Sequence, residues 1–474
     1  MGKRSRGKDL AVNTIVIGIG KFSTQLVSFF LLPLYTSILT TIEYGIYDLI
    51  ITISTFLLPG ITLLMEESMF RFLIDCKSDY DKKIIISQSF IYIVNSSIIF
   101  IILGTIVGFV FKIPYSIIGL FYVITCILSG LRNALVRGLG KLKFYTIVNV
   151  ISSLINISCN ILFIAVFKYG VFGLLLSGII ANIISTSIIF IKVNVFKYIS
   201  FKSYDKKISK EMIKYSLPLV PNSLSWTIVN LSDRLVISGF MGAASNGIYS
   251  MSYKFPNLMN TIYGFFYTAW KESSARAMKD ADKEEFFNKI YSMLTKAMFS
   301  VSIAIISGLP IVFSFFIRKS FVNAYFYIPI LVIAMYYNNM SGYYGGIFSG
   351  FKDTKVMGTT TILGAIINLI VNLALIKFIG IYAAAFSTLV SCMVIYYYRK
   401  IKVKKYIKIK NVNMLPGIIM MIISVVTYYY NTSLILKLLV LFITIFYCIF
   451  ANKDIINLLV RKFLKRTKIK RKFF

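Results

Sequence analysis

Apolar runs long enough to cross the hydrocarbon of a bilayer, about 20 residues each, recur along almost the whole chain and alternate with short polar segments. The pattern predicts fourteen membrane-spanning helices. They lie near 11–39, 46–64, 84–111, 115–131, 144–167, 171–191, 215–240, 248–269, 297–317, 326–348, 356–376, 380–398, 414–430 and 434–451. The longest connections, 192–214, 270–296 and 399–413, all fall on one side; the opposite loops are a few residues long. That leaves no room for an external catalytic domain, no Walker loop is present, and the chain is expected not to be an enzyme.

The spans repeat. Gly45-Ile46-Tyr47 opens span 2 and Gly247-Ile248-Tyr249 opens span 8, 202 residues later. Gly138-x4-Lys143 followed by Asn156-x3-Asn160 returns as Gly350-x4-Lys355 followed by Asn368-x3-Asn372, at an offset of 212. Gly170-Val171-Phe172 with Ser177 returns as Gly380-Ile381-Tyr382 with Ser387, at an offset of 210. Each anchor is displaced by six spans. Six is even, so the halves share one orientation, a parallel repeat about an axis along the membrane normal. The expected architecture is all-α and polytopic. A six-helix bundle (11–191), a linker (192–214), a second six-helix bundle (215–398), helices 13 and 14 (414–451) and a basic tail (452–474) follow in order. Substrate is expected between the bundles.

Polar positions recur at helical spacing inside four of these spans. Lys21, Gln25 and Ser28 share one face of span 1. The offset of 202 carries them to Ser223, Thr227 and Asn230 on span 7, and Arg234 is the next step on that face. Asp48, Thr52 and Thr55 on span 2 correspond to Ser250, Lys254 and Asn257 on span 8. A central Lys, Arg or Asp costs about 2.5–3.5 kcal/mol on the insertion scale. Lys21, Asp48, Asp233, Arg234 and Lys254 facing lipid would together cost on the order of 10 kcal/mol. They are expected instead to line a hydrated cavity with Gln25, Ser28, Thr52, Asn230 and Asn257, as substrate-binding residues. Pairing of Asp233 or Arg234 with Asp48 or Lys254 is the structural alternative. The Asn156/Asn160 and Asn368/Asn372 pairs are expected mainly to bond neighbouring helices. Lys437 reads as a snorkelling residue. Glu66, Glu67 and Arg71 read as a gate or as a solvated helix end. Pro33, Pro59, Pro218, Pro221 and Pro256 fall in the same four spans, where kinks suit alternating access. Tyr336-Tyr337 and Tyr343-Tyr344 offer surfaces for stacking on sugars.

Composition agrees with the span pattern. Hydrophobic residues make up 57% of the 474 and charged ones 15%, with a mean hydropathy of +0.77. A soluble or disordered chain of this length is excluded. The net charge of +34 would suggest nucleic acid in a soluble protein. Here 43 of the 52 Lys and Arg fall on the eight segments of one side, five on the seven opposite and four within spans. The charge is therefore an orientation signal that puts both termini in the cytoplasm; no nucleic-acid partner is expected. The basic tail is expected to lie on anionic headgroups. Five cysteines, none close to another in sequence, and no histidine argue against a structural disulfide, a metal site or histidine acid/base chemistry. The start Lys3-Arg4-Ser5-Arg6-Gly7-Lys8, with the apolar stretch behind it, is expected to form an uncleaved first span.

The stretch Ser216-Leu-Pro-Leu-Val-Pro-Asn-Ser-Leu-Ser-Trp226, then Leu231-Ser-Asp233-Arg234 and Asn246-Gly-Ile-Tyr249, resembles the second-half opening of a known family. Together with Asn368/Asn372 before Gly380 and the 6+6+2 plan, residues 10–450 resemble the lipid-linked oligosaccharide flippases of the MATE-like MOP exporter superfamily. The resemblance implies a multi-pass protein of the bacterial cytoplasmic membrane. It would move undecaprenyl-diphosphate-linked repeat units across the bilayer for polysaccharide assembly enzymes. It implies no cofactor and leaves coupling to H+ or Na+ open. The family's cationic cavity, carried to this chain, falls on Lys21, Arg234 and Lys254. Readings on the same scaffold are a lipid II-type peptidoglycan precursor flippase and a multidrug/cation antiporter. Span 1 has no acid for the latter. A membrane polymerase or ligase would need the large outer loop that this chain lacks.

Overall fold

In the computed structural model, residues 29–76, 78–200, 204–278, 280–351, 353–430 and 433–457 are described. Lys21, Gln25 and Ser28, and with them most of span 1, lie outside the described residues. What is described is all-helical. The helices are α1 Leu32–Ile38, α2 Thr41–Thr62, α3 Met65–Asp75, α4 Asp79–Val110, α5 Ser116–Gly138, α6 Leu142–Asn160, α7 Gly170–Val193, α8 Lys206–Ser216, α9 Val220–Ser252, α10 Lys254–Ala277, α11 Lys283–Phe316, α12 Ile328–Gly350, α13 Thr354–Ile379, α14 Tyr382–Val403, α15 Leu415–Tyr429 and α16 Leu434–Ala451.

Local sequence sets the breaks. At the start of α2, Thr40 Oγ1 accepts the Glu43 N–H at 3.2 Å and Glu43 Oε2 accepts the Thr40 N–H at 2.8 Å. This reciprocal cap satisfies two N–H groups that the first turn would leave open. Ser78 and Asp81 do the same for α4. Between α2 and α3, Leu63 and Leu64 both take positive φ (46° and 53°), and the Leu64 N–H is held by Thr62 Oγ1 at 3.1 Å. Within α9, Gly242 breaks the helix at φ 83°, ψ 171°. The two expected spans therefore meet at a residue that only glycine accommodates without strain. Past Asn160, α6 continues as a π-helical stretch, Ile161–Val166.

Nine helices among the described residues are long and apolar enough to cross a membrane, against fourteen expected spans. Most of span 1 lies outside the described residues, and the other four missing spans have physical causes. Helices α9, α10 and α14 stand where spans 7, 8 and 12 were expected and are 33, 24 and 22 residues long. They carry the polar stripes, or a run of tyrosines ending in Arg399, which lowers their hydropathy. Helix α15, at span 13, has 15 residues.

Two compact units divide the chain. The first takes residues 1–250 with 318–321, and the second takes 251–317 with 322–474. The expected change of bundle is at the 192–214 linker. The units differ because α9 is tied to α2 and because Arg318–Phe321 dock on the first unit. There the Arg318 N–H reaches Thr36 Oγ1 at 3.2 Å, and the Phe321 ring meets Tyr44 edge-on at 5.8 Å.

The core of the first unit packs Met65, Met69 and Leu73 of α3 against Ile86 and Phe90 of α4, Leu131 and Leu135 of α5, and Met212 of α8. Ser68 Oγ donates to the Met212 carbonyl at 2.9 Å, which seats the short basic helix α8. The second unit is built on aromatics. Trp270 of α10 stacks on Tyr343 of α12 with ring centroids 4.7 Å apart, and its Nε1 donates to the Tyr343 carbonyl at 2.9 Å. Tyr343 donates to the Phe287 carbonyl at 2.8 Å, and the Tyr291 and Tyr396 hydroxyls meet at 2.8 Å. Asn368 Nδ2 donates across to Ser387 and Thr388 at 3.2 and 3.3 Å, so it fastens α13 to α14.

Candidate functional site

The polar positions of α2 and α9 belong to the first unit and come together there. Arg234 Nε donates to Asp48 Oδ2 at 2.6 Å, and the two side chains are 10% and 14% exposed. Arg234 Nη1 also donates to the carbonyl of Asn230, one turn back, at 3.1 Å. Asp233, the neighbouring position on α9, is fully buried and accepts from the Tyr249 hydroxyl at 2.7 Å. Of the pairings open to Arg234 in the sequence, the one with Asp48 is formed. Thr52, one turn from Asp48, is half-buried, and the side chain of Asn230 is exposed.

Backbone contact holds this cluster in place. A Cβ built on Gly45 would run into Ala243 O and lie 2.8 Å from Gly247 N; one on Gly247 would collide with Thr41 O and lie 3.1 Å from Gly45 N. Asn246 Nδ2 adds a bond to the Gly45 carbonyl at 2.9 Å. Gly45 and Gly247 are the glycines of the two triplets that the repeat aligns, and they face one another at the crossing of α2 and α9. Only side-chain-free residues permit that approach. The crossing brings Asp48 and Arg234, 186 residues apart in sequence, into contact.

In the second unit, Lys254 is half-buried at the start of α10. Asn257 is half-buried, and its Oδ1 accepts from Asn260 Nδ2 at 3.3 Å. Of the tyrosines expected to offer stacking surfaces, Tyr337 is half-buried, but Tyr336, Tyr343 and Tyr344 are 8%, 0% and 0% exposed. They are inside the aromatic core because α12 is covered by α10, α11 and α14. Asn156 and Asn160 bond each other, Nδ2 of the second to Oδ1 of the first at 2.6 Å. On α3, Arg71 pairs with Asp75 in the open. Glu66 is turned inward with Oε2 unpartnered, and burial pushes its carboxyl above the usual range.

Two buried cations were absent from the sequence reading. Arg132 and Arg399 are 2% and 1% exposed. The span pattern ends spans 4 and 12 at 131 and 398, which leaves each arginine in the loop one residue beyond. Helices α5 and α14 instead continue to Gly138 and Val403 and carry both guanidiniums inward. No histidine/cysteine/carboxylate cluster suited to a metal is found among the described residues.

A family model described as "Polysaccharide biosynthesis protein" matches residues 10–271, more than half of the chain. The chain belongs to this family. Within solved structures, the chain is similar to the lipid II flippase MurJ in an inward closed conformation. The TM-score is 0.69 at 17% identity, over 94% of this chain and 100% of that one. It is also similar to an inward-facing multidrug resistance MATE family transporter of the MOP superfamily. There the TM-score is 0.64 at 12% identity, over 81% of this chain and 98% of that one. An uncharacterized membrane protein of Methanocaldococcus jannaschii is 23% identical over 316 residues, 62% of this chain and 73% of that protein. At these identities the structural likeness is one of fold. This polysaccharide biosynthesis family member is therefore a polytopic, all-helical membrane protein with a MATE-like fold, as its sequence resemblance implied.

Proposed function

We propose that the chain is a flippase that moves undecaprenyl-diphosphate-linked oligosaccharide across the bacterial cytoplasmic membrane by alternating access, with both termini in the cytoplasm. Polysaccharide assembly enzymes supply and consume its substrate. The observation that carries the reading, beside the family match, is the buried Asp48–Arg234 pair on two helices whose sequence marks them as polar-faced. A diphosphate head carries about two negative charges and does not enter hydrocarbon unaccompanied. Lys21, Arg234 and Lys254 are the cations assigned to it, with Gln25, Ser28, Thr52, Asn230 and Asn257 for the sugars. Because Arg234 is engaged by Asp48 in this state, phosphate must displace the carboxylate to reach it. Loading is then an exchange of ion-pair partners. Asp48, once released, is a base that a coupling cation can neutralise.

The reading is tested by complementing a strain that lacks its polysaccharide flippase with the wild-type chain and with K21Q, R234Q and K254Q. Each variant should fail while the wild type restores surface polysaccharide. Full rescue by all three variants refutes the assignment. A second reading, transport of a lipid II-type precursor, is supported by the likeness to MurJ along nearly the whole chain. Rescue of a strain depleted of its lipid II flippase would select it, and drug efflux without either rescue would select an antiporter.

A further inference from the structure

We infer that Arg132 is the core of a phosphate-type anion site inside the first unit, apart from the Asp48–Arg234 cluster. An arginine keeps its charge in proteins and carries five N–H donors. Buried, it is costly unless an anion or a full set of acceptors meets it. Arg132 has neither. Its Nη2 donates to Ser129 Oγ at 3.1 Å, while Nε and Nη1 have no acceptor. No carboxylate pairs with it among the described residues.

The nearby candidates for a structural partner are occupied or face elsewhere. Glu66, the buried acid of α3, lies against the other side of α5: a Cβ on Gly130 would sit 4.0 Å from Glu66 Cγ. Positions 130 and 132 point about 200° apart on a helix. The carbonyls in the last turn of α5 are turned to the chain that follows, and none accepts from Arg132 Nε or Nη1. Those of Leu135, Val136 and Arg137 accept the N–H groups of Leu139, Lys141 and Gly140 at 2.9, 3.0 and 3.0 Å.

Arg399 shows what a purely structural buried arginine looks like in the same protein. Its Nε donates to Thr360 Oγ1 at 2.9 Å, Nη1 to the Ser341 carbonyl at 3.3 Å, and Nη2 to Thr361 Oγ1 and the Met357 carbonyl at 3.1 and 3.3 Å. It clamps α12, α13 and α14 and leaves no nitrogen open. Arg132 has the same burial and one acceptor. The open donors, the Ser129 hydroxyl and the Tyr145 side chain within electrostatic reach on α6 match an anion with several oxygens better than a halide. Arg132 lies six residues before the end of α5, about 9 Å at the helical rise. By the Lys/Arg bias of the loops that is the cytoplasmic headgroup level. The ligand is therefore a phosphate group, carried by a lipid head or free in solution. The inference rests on this geometry and not on the transported substrate.

The test follows the thermal unfolding of the purified full chain in a neutral detergent at constant ionic strength. One arm titrates inorganic pyrophosphate, and the other adds phosphatidylglycerol against the phosphate-free diacylglycerol. The wild type should be stabilised saturably in at least one arm: the first identifies a free phosphate, the second alone a lipid head. R132Q should lose that response, and R132K should weaken it by about tenfold in apparent affinity, about 1.4 kcal/mol. R399Q should unfold earlier yet keep the response. If R132Q does not fold, R132K against R399Q decides. An equal response in wild type, R132K and R132Q, or no response to either probe, overturns the inference. Neither outcome depends on whether the chain complements a flippase mutant.

Discussion

Neutralising one member of the Asp48–Arg234 pair should destabilise the first unit far more than neutralising both. With Nε and Oδ2 2.6 Å apart, the charge centres are about 4 Å apart, and at an effective dielectric of 20 they attract by about 4 kcal/mol. Desolvation offsets much of that attraction, so the pair itself adds little net stability. A lone charge left at so buried a position loses the attraction and keeps the desolvation, about 3–5 kcal/mol. D48N takes the opposite charge from the guanidinium, R234M takes it from the carboxylate, and D48N/R234M removes both charges. The double variant should therefore recover about 2–3 kcal/mol relative to the sum of the singles. Equilibrium unfolding of the four proteins in mixed dodecyl sulfate and maltoside micelles closes the cycle. Additive losses would refute a direct ion pair. A loss below about 1 kcal/mol in both singles would place the pair in water, where such contacts are weak.

Three further outcomes are expected. Gly247→Ala forces the α2 and α9 backbones apart and should lower stability by roughly 1–3 kcal/mol, read by the same unfolding assay; an unchanged protein would mean that the crossing is loose. Trp270→Phe keeps the ring stack and loses only the bond to the Tyr343 carbonyl, about 1 kcal/mol, whereas Trp270→Ala should lose about 3–5 kcal/mol; equal effects would argue against the stacked core. Burial raises the Glu66 carboxyl, so the folded state holds that proton more tightly than the unfolded chain. Its contribution is whole below the ordinary glutamate range near 4.3 and is lost as pH rises through the raised value. Glu66→Gln should therefore match wild type in acid and exceed it in melting temperature at neutral pH, and parallel curves would contradict the burial.

The all-helical, membrane-spanning class was legible because hydrocarbon thickness imposes a length on each apolar run. The polar faces of spans 2 and 7 were legible too, since a charge inside such a run has few reasons to be there. What failed was fine registration at span ends. Arg132 and Arg399 each sat one residue beyond an expected boundary, and hydropathy cannot tell a helix that stops at an arginine from one that buries it. The tyrosine pairs of α12 misled for a related reason: a sequence shows an aromatic face but not whether another helix covers it. Gly45 and Gly247 were visible as repeat markers. Their meeting across a helix crossing was not, because glycine signals absence of a side chain without naming its neighbour.

The π-helical stretch at Ile161–Val166 falls where the spacing of the two expected repeat markers differs. From Asn160 to Gly170 is ten residues, while the corresponding Asn372 to Gly380 is eight. In the later half, α13 covers that interval as unbroken α-helix to Ile379. A wide turn accommodates one surplus residue without displacing what flanks it, and the short link Phe167–Tyr169 takes up the remainder. Under the expected repeat, the longer interval reads as an insertion taken up as a local swelling; Gly170 opens α7, whereas Gly380 closes α13 two residues before α14 begins. Excising Leu162 should then iron the swelling into ordinary α-helix and yield a chain that still folds.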